Sequence, residues 1–262
     1  MAEFNGHRPG TFCWVALSTT DRAAAKKFYS GLFGWTYDDV PAGPGMFYTL
    51  SQIDGKDVGG MSDLMDDQKK MGIPPHWASY VEVADCEASI NQVAQLGGQV
   101  VMPTIDVMDK GRMAFIMDPD GATLGLWQSK SHKGVQRRDE PNTLCWNEVA
   151  TRKPDAVGAF YTNLFGWGTH GMTGGSGMQY TVFMKGEAPV GGMFPITPEM
   201  GPMPSHWMPY FAVTDLEASS AKAVALGGKT IMGPTDVPNM GRFTIQMDPQ
   251  GAAFSLWKPV QA

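Results

Sequence analysis

Glu148 is the residue in this sequence whose position best suits acid–base chemistry. It follows Trp146 by two residues in the β-rich stretch LCWNEVA, so the two side chains share one face of a strand. A carboxyl group that faces an aromatic surface is costly to ionise unless it is solvated or paired, so we expect its pKa to be raised. Glu148 is therefore predicted to be a catalytic base, a partner for a cationic ligand or a displaced metal ligand. A salt bridge at the rim of the site is the alternative.

Large aromatic side chains accompany this carboxyl group on the inward faces of the predicted strands. The alternation of side chains along each strand assigns six of them to these faces: Trp14, Tyr80, Trp127, Trp146, Tyr210 and Trp257. Tryptophan and tyrosine combine a flat apolar face with one hydrogen-bonding group, which suits them to planar ligands. The rows therefore predict an aromatic ligand-binding cleft. The alternative is that the rings only fill a core.

Four polar or charged residues complete the predicted ligand-binding set: Glu82, Arg112, His206 and Arg242. Glu82 shares the inward face of its strand with Tyr80. His206 has the inward parity too, although its counterpart His76 in a repeated segment favours a structural role at the start of a strand. Arg112 and Arg242 each follow a glycine where a loop enters a strand, from which they could bind an anionic group at the mouth of a cleft. An exposed surface arginine is the alternative at both positions.

Motifs for nucleophilic, redox and nucleotide chemistry are absent from the sequence. It contains no GxSxG, CxxC, HExxH or GxxxxGK segment. The glycine-rich stretch GGSG at residues 174–177 is typical of a flexible loop and of nothing more specific. No cofactor is therefore predicted.

The composition limits the partners and the compartment. A net charge of −6 and a pI near 5.3 argue against a nucleic-acid partner, and no segment approaches the roughly 18–20 apolar residues that span a bilayer. The first residues, MAEFNGHRPG, lack an apolar signal region, and three cysteines cannot form a disulfide framework. These features predict a cytoplasmic protein with a small-molecule ligand, and they leave its oligomeric state open.

Three segments occur twice, and they define the domain organisation. FYSGLFGW (28–35) returns as FYTNLFGW (160–167), HWASYVEVADCEAS (76–89) as HWMPYFAVTDLEAS (206–219), and DPDGATLGLW (118–127) as DPQGAAFSLW (248–257). The offset is 132 residues for the first pair and 130 for the others. This repeat predicts two domains, residues 1–132 and 140–262. They are joined by a polar linker, residues 133–139, which overlaps a basic, solvated segment that runs from Lys130 to Arg138.

Each half contains the same order of elements twice. In residues 12–61, a β-rich run precedes Asp21, a good helix N-cap, and an apolar i, i+4, i+8 pattern at Ala24, Phe28 and Leu32. Gly34 supplies a helix end and the turn IDGKD a hairpin, which gives the order βαβββ. Residues 76–128 repeat that order. The fold class is therefore α+β, with two βαβββ modules per domain that pair around a cleft.

The quoted segments resemble the vicinal oxygen chelate superfamily of glyoxalases, bleomycin-resistance proteins and extradiol dioxygenases over nearly the whole chain. The segments in which the resemblance is strongest are VALSTTDRAAAKKFYSGLFGW, YVEVADCEASINQVAQLGG and GRMAFIMDPDGATLGLW, with their second-half counterparts. The resemblance implies a half-barrel cleft in each domain. The tandem layout is similar to actinobacterial two-domain glyoxalase-like proteins, some of which are secreted antigens, so export without a recognisable signal is the alternative to a cytoplasmic location.

The resemblance also implies where a metal would bind. Metal enzymes of the superfamily carry His, Gln or Glu on the first strand of each module and Glu on the last. Counted from the capping Asp residues and the Asp-Pro turns, these positions hold Trp14, Gly60, Ala78, Gly125, Trp146, Gly192, Met208 and Ser255. None is a strong ligand for a divalent cation, so no metal is predicted.

The combined prediction is metal-independent binding of a small planar or aromatic metabolite or drug in an aromatic cleft. The alternative is an enzyme of the superfamily, a lyase, isomerase, hydroxylase or dioxygenase, with Glu148 as base or relocated metal ligand. Inward positions differ between the halves, as with Ala16 and Glu148, whereas the scaffold segments repeat. The second cleft is therefore predicted to carry more of any chemistry. Divergence between two purely structural duplicates is the alternative.

Overall fold

Each half of the sequence forms one curled, eight-stranded sheet in the computed structural model, which describes residues 3–43, 45–173 and 179–260. The predicted GGSG loop at residues 174–177 lies outside the described residues. Among the helices of the described part, none is long and apolar enough to cross a membrane.

The elements of the first half follow the predicted order, with one short helix between the two modules. They are β1 (Phe12–Thr19), α1 (Arg22–Phe33), β2 (Thr36–Gly43), β3 (Met46–Ile53), β4 (Lys56–Asp63), α2 (Asp66–Lys70), β5 (His76–Glu82), α3 (Cys86–Val93), β6 (Gln99–Val107), β7 (Gly111–Met117) and β8 (Thr123–Ser129).

The second half repeats this series with a 3₁₀ turn in place of α2. Its elements are β9 (Leu144–Thr151), α4 (Pro154–Phe165), β10 (Gly168–Thr173), β11 (Gln179–Lys185), β12 (Ala188–Pro195), the 3₁₀ turn Pro198–Met200, β13 (His206–Ala212), α5 (Leu216–Ala225), β14 (Lys229–Val237), β15 (Gly241–Met247) and β16 (Ala253–Pro259).

Strand pairing confirms the paired βαβββ modules. The first sheet has the order β2-β3-β4-β1-β5-β8-β7-β6, and the second has the equivalent order β10-β11-β12-β9-β13-β16-β15-β14. In each sheet the first strands of the two modules pair antiparallel at the centre, and each pairs in parallel with the last strand of its own module. The predicted α+β fold class, with one half-barrel per half, is therefore confirmed.

Helices α1, α3 and α5 begin where the sequence provides an aspartate cap. The Asp21 carboxylate accepts a hydrogen bond from the backbone N–H of Ala24 at 2.9 Å, and Gly34 ends α1 in the left-handed conformation at φ 76°. Asp85 and Asp215 cap α3 and α5 in the same way. The buried face of α1 contains Phe28, as the periodicity predicts.

The segment that connects the halves is solvated only in part, because Lys130, Ser131 and Lys133 are exposed whereas Gly134 and Val135 are buried. Its interpretation as a solvated linker is corrected for this buried pair. The backbone N–H of Val135 donates to the carbonyl oxygen of Cys13 at 2.8 Å, and the Val135 side chain is fully buried. Gly134 has φ 90°, and a Cβ there would lie 2.4 Å from the same carbonyl oxygen. The physical reason is local: within the charged segment, the apolar pair Gly134-Val135 packs on β1. The exact domain boundaries stay predictions.

Two hydrogen-bonded chains join the halves, and each contains one residue from every repeated segment. Trp77 Nε1 donates to Tyr29 Oη at 3.0 Å, and Tyr29 Oη donates to Asp248 Oδ2 of the other half at 3.0 Å. The other Asp248 oxygen accepts the backbone N–H groups of residues 250–252 at 2.8–3.0 Å, which fixes the Asp-Pro turn. Burial raises the pKa of Asp248.

The second chain is the repeat equivalent of the first. Trp207 Nε1 donates to Tyr161 Oη at 2.7 Å, and Tyr161 Oη donates to Asp118 Oδ2 at 3.1 Å. The apolar residues around the chains come from both halves, so α1 packs against β16 and α5 of the second half as well as against its own sheet. The helix-covered faces of the two sheets therefore form a shared core, and the repeated segments are residues of that interface.

We expect Tyr29→Phe to lower the free energy of unfolding by about 2–4 kcal/mol, because it leaves the buried Trp77 N–H and an Asp248 oxygen without a partner. Urea denaturation measures the change. Tyr37→Phe is the matched control, since its hydroxyl donates to a helix carbonyl at a half-buried position and its loss should cost about 1 kcal/mol or less. Equal losses of unfolding free energy in the two variants would contradict the larger contribution that we assign to the buried Trp77–Tyr29–Asp248 hydrogen bonds.

Candidate functional site

Glu148 lies on the concave face of the second sheet, between a methionine and a glycine of the neighbouring strands. In the register of β9 it is opposite Met208 of β13 and Gly192 of β12. Tyr210 donates its hydroxyl to Glu148 Oε1 at 2.6 Å, and the Tyr180 hydroxyl lies near the same carboxyl group. The site therefore places one carboxyl group between two phenol hydroxyls.

Burial raises the pKa of the Glu148 carboxyl, and the two tyrosine hydroxyls offset only part of that shift. The direction agrees with the sequence-based prediction. No ion pair to Glu148 occurs among the described residues, so the alternative of a rim salt bridge is wrong there. Burial and the neighbouring carboxyl group also raise the pKa of Tyr180 and Tyr210. The site thus favours the protonated form of the Glu148 carboxyl group more than water does.

Tyr180 is the site residue that the sequence analysis missed. Its hydroxyl accepts a hydrogen bond from Trp146 Nε1 at 3.0 Å, and it crosses over Gly192, where a Cβ would lie 1.8 Å from Tyr180 Oη. The first half has the same frame, with Trp14 Nε1 donating to Tyr48 Oη at 2.8 Å. The sequence feature that could have identified Tyr180 is a repeated pair of segments. MFYTL and MQYTV each precede a VGGM segment in their own half.

The predicted inward register is confirmed in the first half. Trp14, Ala16 and Trp127 share one cluster, against which Tyr80 and Met113 pack. The intervening residues of β1 belong to the cluster under the helices. In the second half, Tyr210 lies 5.9 Å from the ring of Phe243, the residue that corresponds to Met113. The rows of aromatic side chains therefore line the concave faces, as strand alternation predicts.

The two concave faces differ in what covers them. In the first half, residues of the connecting segment pack over the aromatic row, so Trp14 is 6% exposed and Trp127 is 8% exposed. Their counterparts Trp146 and Trp257 are both partly exposed. The second cleft is therefore the one whose indole rings are accessible. This difference agrees with the predicted inequivalence of the clefts, and the functional part of that prediction stays a prediction.

Glu82, predicted to bind a ligand, lies within the covered cleft of the first half. Its Oε1 accepts hydrogen bonds from Ser129, at 2.8 Å from the hydroxyl and 3.2 Å from the backbone N–H. The side chain is 5% exposed, and burial raises its pKa. Ser129 therefore binds one oxygen of Glu82, whereas the buried Oε2 has no hydrogen-bond partner among the described residues. A ligand-binding role for Glu82 stays a prediction.

The predicted role of Arg112 and Arg242 at a cleft mouth is wrong, because both side chains lie on the helix-covered face. Arg112 forms ion pairs of 3.8 Å with Glu87 of α3 and with Asp106 of β6. Arg242 pairs with the equivalent acids of α5 and β14. Each arginine is the second residue of a strand, not a loop residue, so alternation points its side chain away from the cleft-lining residue that follows.

His206 has the hydrogen bond expected of a structural residue. Its Nδ1 lies 2.8 Å from the carbonyl oxygen of Pro204, and Nδ1 of His76 lies 2.9 Å from that of Pro74. Burial lowers the pKa of His206. Because both halves contain the same bond, the structural alternative at the start of the strand accounts for the geometry. A ligand-binding role for His206 stays a prediction.

Comparison with known proteins identifies the family. The sequence model of the Glyoxalase/Bleomycin resistance protein/Dioxygenase superfamily matches residues 11–126 and 133–256. The chain belongs to this superfamily. A relative from Mycobacterium tuberculosis, "Putative glyoxylase CFP32", is 45% identical over 99% of this chain and 98% of its own. A second, "Anthracycline biosynthesis protein DnrV" of Streptomyces peucetius, is 34% identical over 95% and 93%.

Solved structures share the superfamily fold at low sequence identity. The Mn(II)-bound glyoxalase from Novosphingobium aromaticivorans has a TM-score of 0.67 at 14% identity, covering 97% of this chain and 83% of its own. The 2,3-dioxygenase LapB from Pseudomonas sp. KL28 has a TM-score of 0.64 at 11% identity, covering 95% and 91%. These likenesses extend over both halves of the chain.

The residues present do not fit the divalent metal that such superfamily members bind. The implied positions on the central strands of the second half hold Trp146, Met208, Gly192 and Ser255, which offer no carboxylate or imidazole. The space that a longer side chain at residue 192 would need is taken by the Tyr180 hydroxyl. Within the described ranges, no group of three or more His, Cys, Asp or Glu residues could hold a metal.

We expect Glu148→Gln to change the pH dependence of stability. A carboxyl group whose pKa is raised by folding stabilises the native state below its unfolded pKa, and this contribution is lost as pH rises through the folded pKa. The variant should therefore gain stability relative to the wild type as pH rises above the ordinary titration range of a glutamate, as measured by urea denaturation. Glu187→Gln, at an exposed turn, controls for the loss of one negative charge. If the stabilities of Glu148→Gln and the wild type changed in parallel with pH, the raised pKa of Glu148 would be contradicted.

Proposed function

We propose that the second half binds a small planar aromatic molecule in its concave cleft without a divalent metal, and that Glu148 supplies the polar contact. The observation that carries this proposal is the partial exposure of Trp146 and Trp257, whose counterparts in the first half are covered by the chain itself. Exposed indole faces beside a buried polar group are the usual composition of a small-molecule site.

The relatives support a planar ligand. The Streptomyces proteins are named for the biosynthesis of anthracyclines, and the fused rings of an anthracycline are flat. A flat ring system gains most from contact with indole and phenol faces, because stacked and edge-on contacts add to the burial of apolar area. Methionine at residue 208 offers an adaptable apolar contact in the same cleft.

An enzymatic role is the second candidate, and the Glu148–Tyr210 hydrogen bond favours it. A carboxyl group with a raised pKa that shares a hydrogen bond with a phenol can take a proton from a bound molecule and return it. Such a site suits a lyase, isomerase or hydroxylase reaction that begins with proton removal next to an aromatic or carbonyl group. In this case Glu148 is the catalytic base, and the aromatic cleft positions the substrate.

The free thiols support a reducing compartment. Cys13 and Cys86 are buried, Cys145 is partly buried, and none of the three forms a disulfide. Burial raises the pKa of Cys86 to about 12, so this thiol is unreactive at neutral pH. A cytoplasmic location is therefore part of the proposal.

A thermal-shift screen of planar aromatic metabolites tests the binding proposal. A compound at 100 times its dissociation constant should stabilise the protein by about 2.7 kcal/mol. Glu148→Gln should lower the affinity for such a compound by about tenfold or more, because it removes the carboxyl group that supplies the proposed polar contact. Glu82→Gln is the matched control in the covered cleft and should change the affinity by less than about twofold. Equal effects of the two substitutions would contradict the assignment of the site to the second half.

Elemental analysis of protein purified without chelators tests the metal-independent part of the proposal. Zn, Ni, Mn and Fe should each be present well below one equivalent, because the cleft lacks a set of carboxylate or imidazole ligands. A near-stoichiometric metal that is lost in Glu148→Gln or His206→Ala would overturn metal-independent binding and favour the enzyme candidate with relocated ligands.

A further inference from the structure

The first cleft contains a planar ring supplied by the chain itself. The imidazole of His132 lies edge-on to the ring of Trp14, at a centroid distance of 4.5 Å and an interplanar angle of 88°. It lies 5.8 Å from Trp127 at 89°. The two indoles thus form a notch that holds one flat ring between them.

The same residue also supplies a hydrogen-bond acceptor. Trp127 Nε1 donates to the backbone carbonyl oxygen of His132 at 3.1 Å. An indole N–H can only donate, so its partner in this notch must be an acceptor. His132 therefore presents two features together, a planar ring between the indoles and a carbonyl oxygen on the indole nitrogen.

The second cleft has the same notch without these two features. Trp146 and Trp257 are the repeat equivalents of Trp14 and Trp127, and the Trp146–Tyr180 hydrogen bond matches that of Trp14 with Tyr48. Across residues 3–43, 45–173 and 179–260, no aromatic ring contacts the Trp257 indole and no acceptor binds its Nε1. Both indoles are partly exposed.

We propose that the ligand of the second cleft is a planar ring system that bears a carbonyl oxygen, such as an aromatic ketone or a quinone. The ring occupies the notch between Trp146 and Trp257, and the carbonyl oxygen accepts the Trp257 N–H, as His132 does in the first half. This inference rests on the proposed function and specifies its ligand class. The first half is the template for this inference. There Trp14 and Trp127 contact a planar ring, and the Trp127 N–H donates to a carbonyl oxygen.

Two probes that differ in their carbonyl groups test the inference by isothermal titration. Anthraquinone-2-sulfonate and anthracene-2-sulfonate share ring outline and charge, and only the first carries carbonyl oxygens. The wild-type protein should bind the quinone about fivefold more tightly, which corresponds to one net hydrogen bond. Trp257→Phe should remove this preference by weakening quinone binding about fivefold, with anthracene binding changed by less than twofold. Trp127→Phe is the matched control in the covered notch and should change neither affinity.

The outcomes separate this inference from the proposed function. Equal wild-type affinities for the two probes, with both lost in Trp146→Ala, would overturn the carbonyl requirement and leave aromatic binding supported. A fivefold loss for both probes in Trp257→Phe would also overturn it, because the indole would then act through its face alone. Binding of neither probe overturns the inference, and the metabolite screen then tests the proposed function independently. If Trp257→Phe fails to fold, the ratio of the two wild-type affinities remains the test.

Discussion

The hydroxyl groups of Tyr29 and Tyr161 connect every repeated segment of the sequence, and the arrangement of the two halves depends on them. Each hydroxyl accepts from a tryptophan of its own half and donates to an aspartate of the other. Each aspartate in turn accepts backbone N–H groups of its Asp-Pro turn. A buried carboxylate is costly unless all its oxygens accept hydrogen bonds. Substituting any one residue of either chain therefore leaves a buried polar group of the others without a partner. This shared constraint gives a physical reason for the repetition of all three segments.

Because these chains join the helix-covered faces, the concave faces of the two sheets are turned outwards and are separate from each other. In the first half the connecting segment places Val135 and His132 over the aromatic row, whereas the equivalent indoles of the second half stay partly exposed. A tandem fold of this type can therefore use one cleft for packing and keep the other for a ligand.

The sequence predicted the parts of the fold that depend on local patterns. Helix caps such as Asp21, the βαβββ order and the inward parity of Trp14 follow from short-range rules that need no partner element. Its errors concern contacts between distant elements. Arg112 was assigned to a loop, but it begins a strand and its ion pairs are with a helix. The role of Tyr180 cannot be predicted from local patterns. Its ring occupies the space above Gly192, and this space exists only because β11 pairs with β12.

The placement of Glu148 is the strongest physical argument that the second cleft is more than a packing layer. Both halves have the frame of indole and phenol, Trp14 with Tyr48 and Trp146 with Tyr180. At the position of Ala16 in the first half, the second half has the carboxyl group of Glu148. Burial disfavours the charged form of this group, as it does for Glu82 in the covered cleft. Glu148 differs from Glu82 in that the indoles of its own cleft are partly exposed. Under the proposed function, a bound molecule that contacts Glu148 would offset the cost of burying this carboxyl group.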